Sequence, residues 1–214
     1  MDDSQQSGAV NGDEAKITLG LLNAVEANST ITQRTVASEL GIALGLANAY
    51  LKRCVRKGLV KVKQVPANRY TYYLTPQGFA EKSRLTAEYL TVSFNFFRSA
   101  REQCVEAFGD CVAHGWRRVA LAGVGDLGEI ATLCAAEVPV VLVGFYDPKF
   151  ESDHFAGLPI ARRLDALPPF DAVMITDFRN PQATFDALVR DVQRERVVAP
   201  TLLRISRERP MLME

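Results

Sequence analysis

The stretch RRVALAGVGDLGEIATLCAAE, beginning at Arg117, constrains the fold more than any other part of the chain. A short apolar run, Val119–Val124, ends in glycines at 123, 125 and 128, and a helical period follows. The spacing G-x-G-x-x-G between a strand and a helix is that of a phosphate-cradling turn. Glycine there lets backbone approach a pyrophosphate and lets the helix pack closely on the strand. In the helix, Ile130, Leu133 and Cys134 are expected to face inward. VPVVLVGFYDP then reads as a second buried strand ending at Asp147. The interval from Gly125 to Asp147 fits the roughly 20 residues between a phosphate loop and a ribose-binding acid. DAVMITDF and VVAPTLLRI supply a third and a fourth strand around a helix of about Pro181–Arg196.

This alternation predicts a largely parallel, Rossmann-like α/β domain over residues 113–214. The candidate ligand contacts are Gly123, Gly125, Asp126 and Gly128 in the loop and Asp147 at the ribose. Asp126 and Glu129 lie in the first helical turn, where they suit a bare helix dipole but repel a bound phosphate unless they point away. The alternative is that the glycines serve only strand-to-helix packing. A dehydrogenase would also need an acid/base pair beside its cofactor. No Tyr-x-x-x-Lys pair occurs, and His114 and His154 read as surface or linker histidines, so the expectation is not an enzyme.

Formal net charge is zero, but its distribution is uneven. Residues 1–15 carry four acids and no base and read as a disordered acidic arm, whereas residues 16–78 carry nine bases against two acids. A basic module within a neutral protein is the footprint of a polyanion partner. Ile17, Leu21, Leu22 and Val25 share one helical face. Thr32 is a candidate N-cap for a helix through Leu40, and Gly41 supplies the turn to a second helix, about Ala43–Lys57. That helix should bury Ala47, Leu51, Cys54 and Val55 and present Gly45, Asn48, Ala49, Lys52, Arg53 and Arg56. Val60–Gln64 and Tyr70–Leu74 then alternate around Pro66-Ala67-Asn68-Arg69, giving a hairpin that carries Lys61, Lys63 and Arg69. A helix-turn-helix followed by a basic hairpin is a winged helix over residues 16–76, and its partner is double-stranded DNA.

Residues 77–112 form the connector, mostly one long helix capped by Thr75 with Pro76 at its first position. It carries two apolar stripes: Leu85, Tyr89, Val92, Phe96 and Ala100; and Leu90, Phe94, Phe97, Cys104 and Phe108. The second suits a twin helix, so Leu90, Phe94, Phe97 and Cys104 are the candidate contacts of a homodimer. The four cysteines form no C-x-x-C pair and no cluster with histidine. A metal site is therefore not expected, and a reducing cytoplasm fits. No apolar run approaches the ~20 residues of a membrane span, and the polar, acidic start shows no secretory signal.

The run T-Q-R-x-V-A-x-x-L-G-I, then L-G-x-x-N-x-x-L-K, K-G-L-V and L-T-P-x-G-x-A-E-K-x-R-L-T, resembles the winged-helix domain of MarR-type regulators. It is most similar to the subset associated with exopolysaccharide gene clusters. The resemblance spans roughly Lys16 to Leu90 and implies a DNA-binding regulator with Asn48, Lys52 and Arg56 facing the major groove; Gln33 and Arg34 are further candidate DNA contacts. Ala43 departs from it, standing where Ser or Thr often caps the recognition helix. The pattern VALAGVGDLGE…VVLVGFYDPKF…FAGLPI…LDAL…DAVMIT is similar to the nucleotide domain of the redox-sensing Rex repressors and to nucleotide-sugar dehydratases of capsule clusters. That likeness implies an NAD(H) or nucleotide-sugar effector. The short polar tail SRERPMLME departs from the long terminal helix of the redox repressors.

Overall fold

A computed structural model describes residues 3–66 and 69–207, without the side chains of residues 3–12 and 69. The chain divides into two compact units, Met1–Phe94 and Asn95–Glu214. The first runs α1 (Asp3–Ala27), α2 (Gln33–Glu39) and α3 (Leu44–Arg56), then a hairpin of β1 (Val60–Val65) and β2 (Arg69–Leu74). It also holds the start of the long helix α4 (Pro76–Ala113). Leu21, Leu22, Val25, Val36, Leu51, Cys54 and Leu85 form its core. Local chemistry sets the ends of these elements. The Thr32 hydroxyl accepts the Thr35 N–H at 3.1 Å and caps α2. The Thr75 hydroxyl accepts the Gly78 N–H at 3.0 Å at the head of α4 and donates to the Gly58 carbonyl at 2.6 Å. Strands β1 and β2 are antiparallel, in register from Val60 opposite Leu74 to Val65 opposite Arg69. The Tyr72 N–H donates to the Ser29 carbonyl at 2.8 Å, fastening the hairpin to the loop before α2.

Helix α1 begins at Asp3, where the sequence predicts a disordered arm through residue 15. No proline interrupts that stretch, and acids at a helix start complement the dipole. Val55, expected on the buried face of α3, is 36% exposed, because the core stripe there is Ala47, Leu51 and Cys54.

The second unit contains β3 (Arg118–Ala122), α5 (Asp126–Ala135), β4 (Val141–Tyr146), β5 (His154–Phe155) and β6 (Leu158–Ala161). Strand β7 (Ala172–Ile175), α6 (Pro181–Leu188) and β8 (Val197–Val198) complete it. The sheet order is β5-β6-β4-β3-β7-β8. All pairings are parallel except β5 with β6. From β3 the chain first steps to β4 and later returns to β7 on the other side, so right-handed crossovers place α5 and α6 on opposite faces. The topological switch point lies between β3 and β7.

Several expectations for this unit are corrected. The sheet is largely parallel as expected, but it gains an antiparallel pair where Ala156 and Gly157 adopt positive φ and turn the chain back into the β5–β6 hairpin. Strand β8 is two residues long. Pro200 has no N–H to continue the ladder, and Thr201–Leu203 coil into a 3-10 turn. Helix α6 stops at Leu188 rather than near Arg196, and Arg194–Arg196 form a separate 3-10 turn. Leu133 is 61% exposed; the buried stripe of α5 is Leu127, Ile130, Ala131 and Cys134, at i, i+3, i+4 and i+7.

The connector, residues 77–112, contributes part of its apolar surface to this unit. Ala100, Cys104, Ala107, Phe108 and Cys111 of α4 belong to the core of the second unit. Cys104, expected at the dimer seam, is fully buried there and has no surface to offer a second copy. Leu90, Phe94 and Phe97 are 45%, 57% and 40% exposed. Phe96 meets Phe178 edge-on, with ring centroids 5.5 Å apart. Among the described residues no helix is long and apolar enough to cross a membrane.

Candidate nucleic-acid interface and glycine loop

Helix α3 places Gly45, Ala49, Lys52 and Arg56 on its exposed face, opposite buried Ala47, Leu51 and Cys54. Lys61 and Lys63 are exposed on β1. Arg34 is exposed and Gln33 half-buried in the first turn of α2. A groove of about 740 Å³ runs between the starts of α2 and α3 and the hairpin, lined by Thr30, Thr32, Gln33, Arg34, Leu44, Val65 and Tyr70 among others. Arg34 is the cation that lines this groove, and the exposed cations of α3 and β1 in the same unit suit a phosphate backbone.

Two residues of the predicted set behave differently. Arg53 turns away from the exposed face and pairs with Glu14 of α1 at 2.5 Å. Asn48 is half-buried, and its Oδ1 is buried with no hydrogen-bond partner. Arg69 opens β2, but its side chain lies outside the described residues. The sequence reading missed Leu44 and Leu46, which are 48% and 41% exposed beside this face. For Leu46 a helical projection carried the signal, since it lies off the Ala47–Leu51–Cys54 stripe; Leu44 continues that stripe but is the first residue of the helix.

The glycine loop is clamped from three sides. The Gly123 N–H donates to the Tyr146 carbonyl at 3.0 Å, and the Val124 N–H donates to Asp147 Oδ2 at 3.0 Å. The Thr176 hydroxyl, on the segment after β7, donates to the Gly123 carbonyl at 2.6 Å. A Cβ on Gly123 (φ +106°) would lie 2.5 Å from the Asp177 backbone, and one on Gly128 would lie 2.7 Å from the Phe145 ring. Both glycines therefore serve packing. A Cβ on Gly125 would meet nothing within 4 Å, so space makes no demand there, but its φ of +159° is one that other residues rarely adopt. Asp147 is directed into its own loop: besides Val124 it accepts the Lys149 N–H at 3.0 Å. Asp126 and Glu129 are exposed in the first turn of α5.

Thr176 and Asp177 are part of this construction, and no local motif announces them. Burial works to raise the Asp177 carboxyl. The Thr184 hydroxyl and the Asn180 and Arg179 amides outweigh it and hold the group below the usual carboxylate range. A separate hollow of about 930 Å³ in this unit is lined by Tyr146, Arg162, Leu164, Phe170, Gln193 and Arg196 among others, and by none of the loop residues. Arg196 is already engaged there, donating to the Phe170 carbonyl at 2.6 Å.

The cysteine thiols are held protonated. Burial pushes Cys54 and Cys111 up to about 11 and Cys104 to about 12. Among the described residues no His, Cys, Asp and Glu cluster could hold a metal ion.

An exposed basic helix in a helix-turn-helix, followed by a hairpin bearing exposed lysines, defines a DNA-binding module. Residues 15–61 match the family described as winged helix-turn-helix DNA-binding, and the first unit contains such a domain. No curated protein matches the chain. Among solved structures it is similar to the PcaV transcriptional regulator from Streptomyces coelicolor, with 26% identity over 46% of this chain and 74% of that one, at a TM-score of 0.37. The multiple antibiotic-resistance repressor (MarR) from Listeria monocytogenes shows 22% identity over 43% of this chain and 70% of that one, at 0.32. Human N-acetylserotonin methyltransferase in complex with SAM shows 11% identity over 82% of this chain and 71% of that one, at 0.31.

Proposed function

We propose that this chain is a cytoplasmic, homodimeric transcriptional regulator of MarR type rather than an enzyme. The observation that carries the reading is the exposed face of α3 formed by Gly45, Ala49, Lys52 and Arg56, followed in the same unit by exposed Lys61 and Lys63 of the hairpin. The helix enters the major groove and the hairpin lysines meet phosphates. The exposed Leu90, Phe94 and Phe97 of α4 support pairing of two copies. Titration of labelled duplex with the full chain tests the proposal. Lys61→Ala and Lys63→Ala should weaken all sequences about equally, and absence of duplex binding at low salt would refute it.

The finer reading is that the α/β unit senses a nucleotide effector, NAD(H) or a nucleotide sugar, over Gly125, and that the regulated genes serve exopolysaccharide formation. Open space at Gly125 supports the first part; sequence resemblance supports the second. A second reading has specific observations behind it. Gly123 and Gly128 are explained by packing and Asp147 by its loop bonds, which favours a unit that serves assembly or partner recruitment without a ligand. Calorimetry with NAD+, NADH and nucleotide sugars separates the two. Binding by the parent that is lost in Gly125→Val supports sensing, and no difference between them favours assembly.

A further inference from the structure

The solvent face of the recognition helix α3 is divided along its length. Its first half exposes Gly45, Leu46 and Ala49, none of which carries a hydrogen-bonding side chain. Asn48, the one amide in this half, has its Oδ1 buried. In this structure its carbonyl oxygen is not presented for the paired contact with which an asparagine grips adenine. Cations begin only at Lys52 and Arg56. Gly45 adds an independent observation. A Cβ there would meet nothing within 4 Å, so no packing inside the protein calls for glycine. Glycine in a helix is nonetheless unfavourable relative to alanine. What it provides is close approach of backbone to an external partner.

Resting on the DNA-binding reading above, we infer that the first half of α3 reads thymine methyl groups in the major groove, with Ala49 and Leu46 as the contacting side chains and Gly45 setting the depth of approach. Thymine is the base that displays an apolar group there, and alanine-type contacts to it are an established form of readout. Charge complementarity favours duplex DNA over a protein partner. The same helix face continues into Lys52 and Arg56, and the neighbouring hairpin carries Lys61 and Lys63. This division predicts operator half-sites whose specificity resides in thymines rather than in a guanine gripped by the start of the helix.

The test uses the full chain and a duplex selected from a random library by its own binding. Each thymidine is replaced in turn by deoxyuridine, which removes the methyl and leaves base pairing intact. Affinity should fall about threefold to fivefold at the contacted positions, the worth of one buried methyl, while an unselected duplex is indifferent to the change. Ala49→Gly and Leu46→Ala should each abolish the penalty at their own positions. Gly45→Leu should lose the selected site while melting no lower than the parent. Equal affinity for the selected duplex and its all-deoxyuridine form overturns the inference but leaves DNA binding standing. Persistence of every penalty in both variants also overturns it. If Leu46→Ala changes the sedimenting mass and not the deoxyuridine response, the face joins copies of the chain and the inference fails. Failure to bind any duplex overturns the DNA-binding reading itself.

Discussion

Gly123 and Gly125 are two residues apart and answer to different constraints. Gly123→Ala puts a methyl 2.5 Å from the Asp177 backbone, which cannot swing aside as a side chain can. We expect a loss of about 1–3 kcal/mol, the usual cost of overpacking, read from the denaturant midpoint. Gly125→Ala has open space and carries only the strain of its φ of +159°, so it should cost less than Gly123→Ala. Equal destabilisation by the two would contradict this geometry. Asp147→Ala removes the acceptor for the Val124 and Lys149 amides and should cost about 1–3 kcal/mol, toward the lower end because the residue is half-exposed. Asp171 and Asp177 carry a pH dependence. The amides of Arg118 and Arg117, each 2.8 Å from Asp171, hold that carboxyl low. Thr184 and the Asn180 and Arg179 amides outweigh burial at Asp177. Both folded values lie below the unfolded one. Their contribution is therefore complete above the ordinary value of ~3.9 and disappears as pH falls through the lower folded values. Acid titration of stability should be flatter in Asp171→Asn/Asp177→Asn, and an unchanged acid limb would remove these two groups as its source.

Helix α3 shows how one element distributes neighbouring cations between fold and function. Arg53 spends its guanidinium on Glu14, whereas Arg56 is exposed on the DNA-facing side. Arg56→Ala should weaken binding to the preferred duplex by about 1–3 kcal/mol, while Arg53→Ala should act weakly on DNA. Comparable losses in duplex titrations would place Arg53 in the interface after all. Helix α4 makes a similar division along its length. Phe94→Asp should yield monomers with intact helicity, because Phe94 is 57% exposed, whereas Cys104→Asp should unfold the second unit from a fully buried position. Sedimentation and circular dichroism distinguish the outcomes. If Phe94→Asp leaves a dimer intact, α4 is not its seam. The α4 stripes were legible as apolar periodicity. Which part of each stripe is buried was not, because periodicity records that a face is apolar and not what covers it.

For the molecule as a whole, the zero net charge conceals a binding surface that should be strongly salt-sensitive. Each phosphate neutralised by Arg34, Lys52, Arg56, Lys61 or Lys63 should steepen the dependence of log affinity on log salt by ~0.9. A slope near zero would exclude phosphate contacts by this face. Two copies paired through α4 should select half-sites about 34–36 Å apart along the duplex, or a multiple of that spacing. If an effector binds over Gly125 and alters operator affinity, operator DNA must alter effector affinity by the same factor.

The residues alone determined the winged helix, the long helix after it and the parallel core of the second unit. Each is written locally, as the Thr32 cap, the alternation of the hairpin, the Thr75–Pro76 helix start, and the strand–glycine–helix junction at 119–128. Tertiary structure decided what those local signals share with one another. It turned Asp147 onto Val124, set Asp177 against Gly123, drew Arg53 to Glu14 and sank Cys104 into the second core. It also folded residues 154–161 into a hairpin and ended β8 after two residues. Backbone preferences and hydrophobic period act over a few residues and can be read in order along the chain. The partner of a carboxylate, a guanidinium or a missing Cβ is set by whichever distant segment the fold brings within a few ångströms.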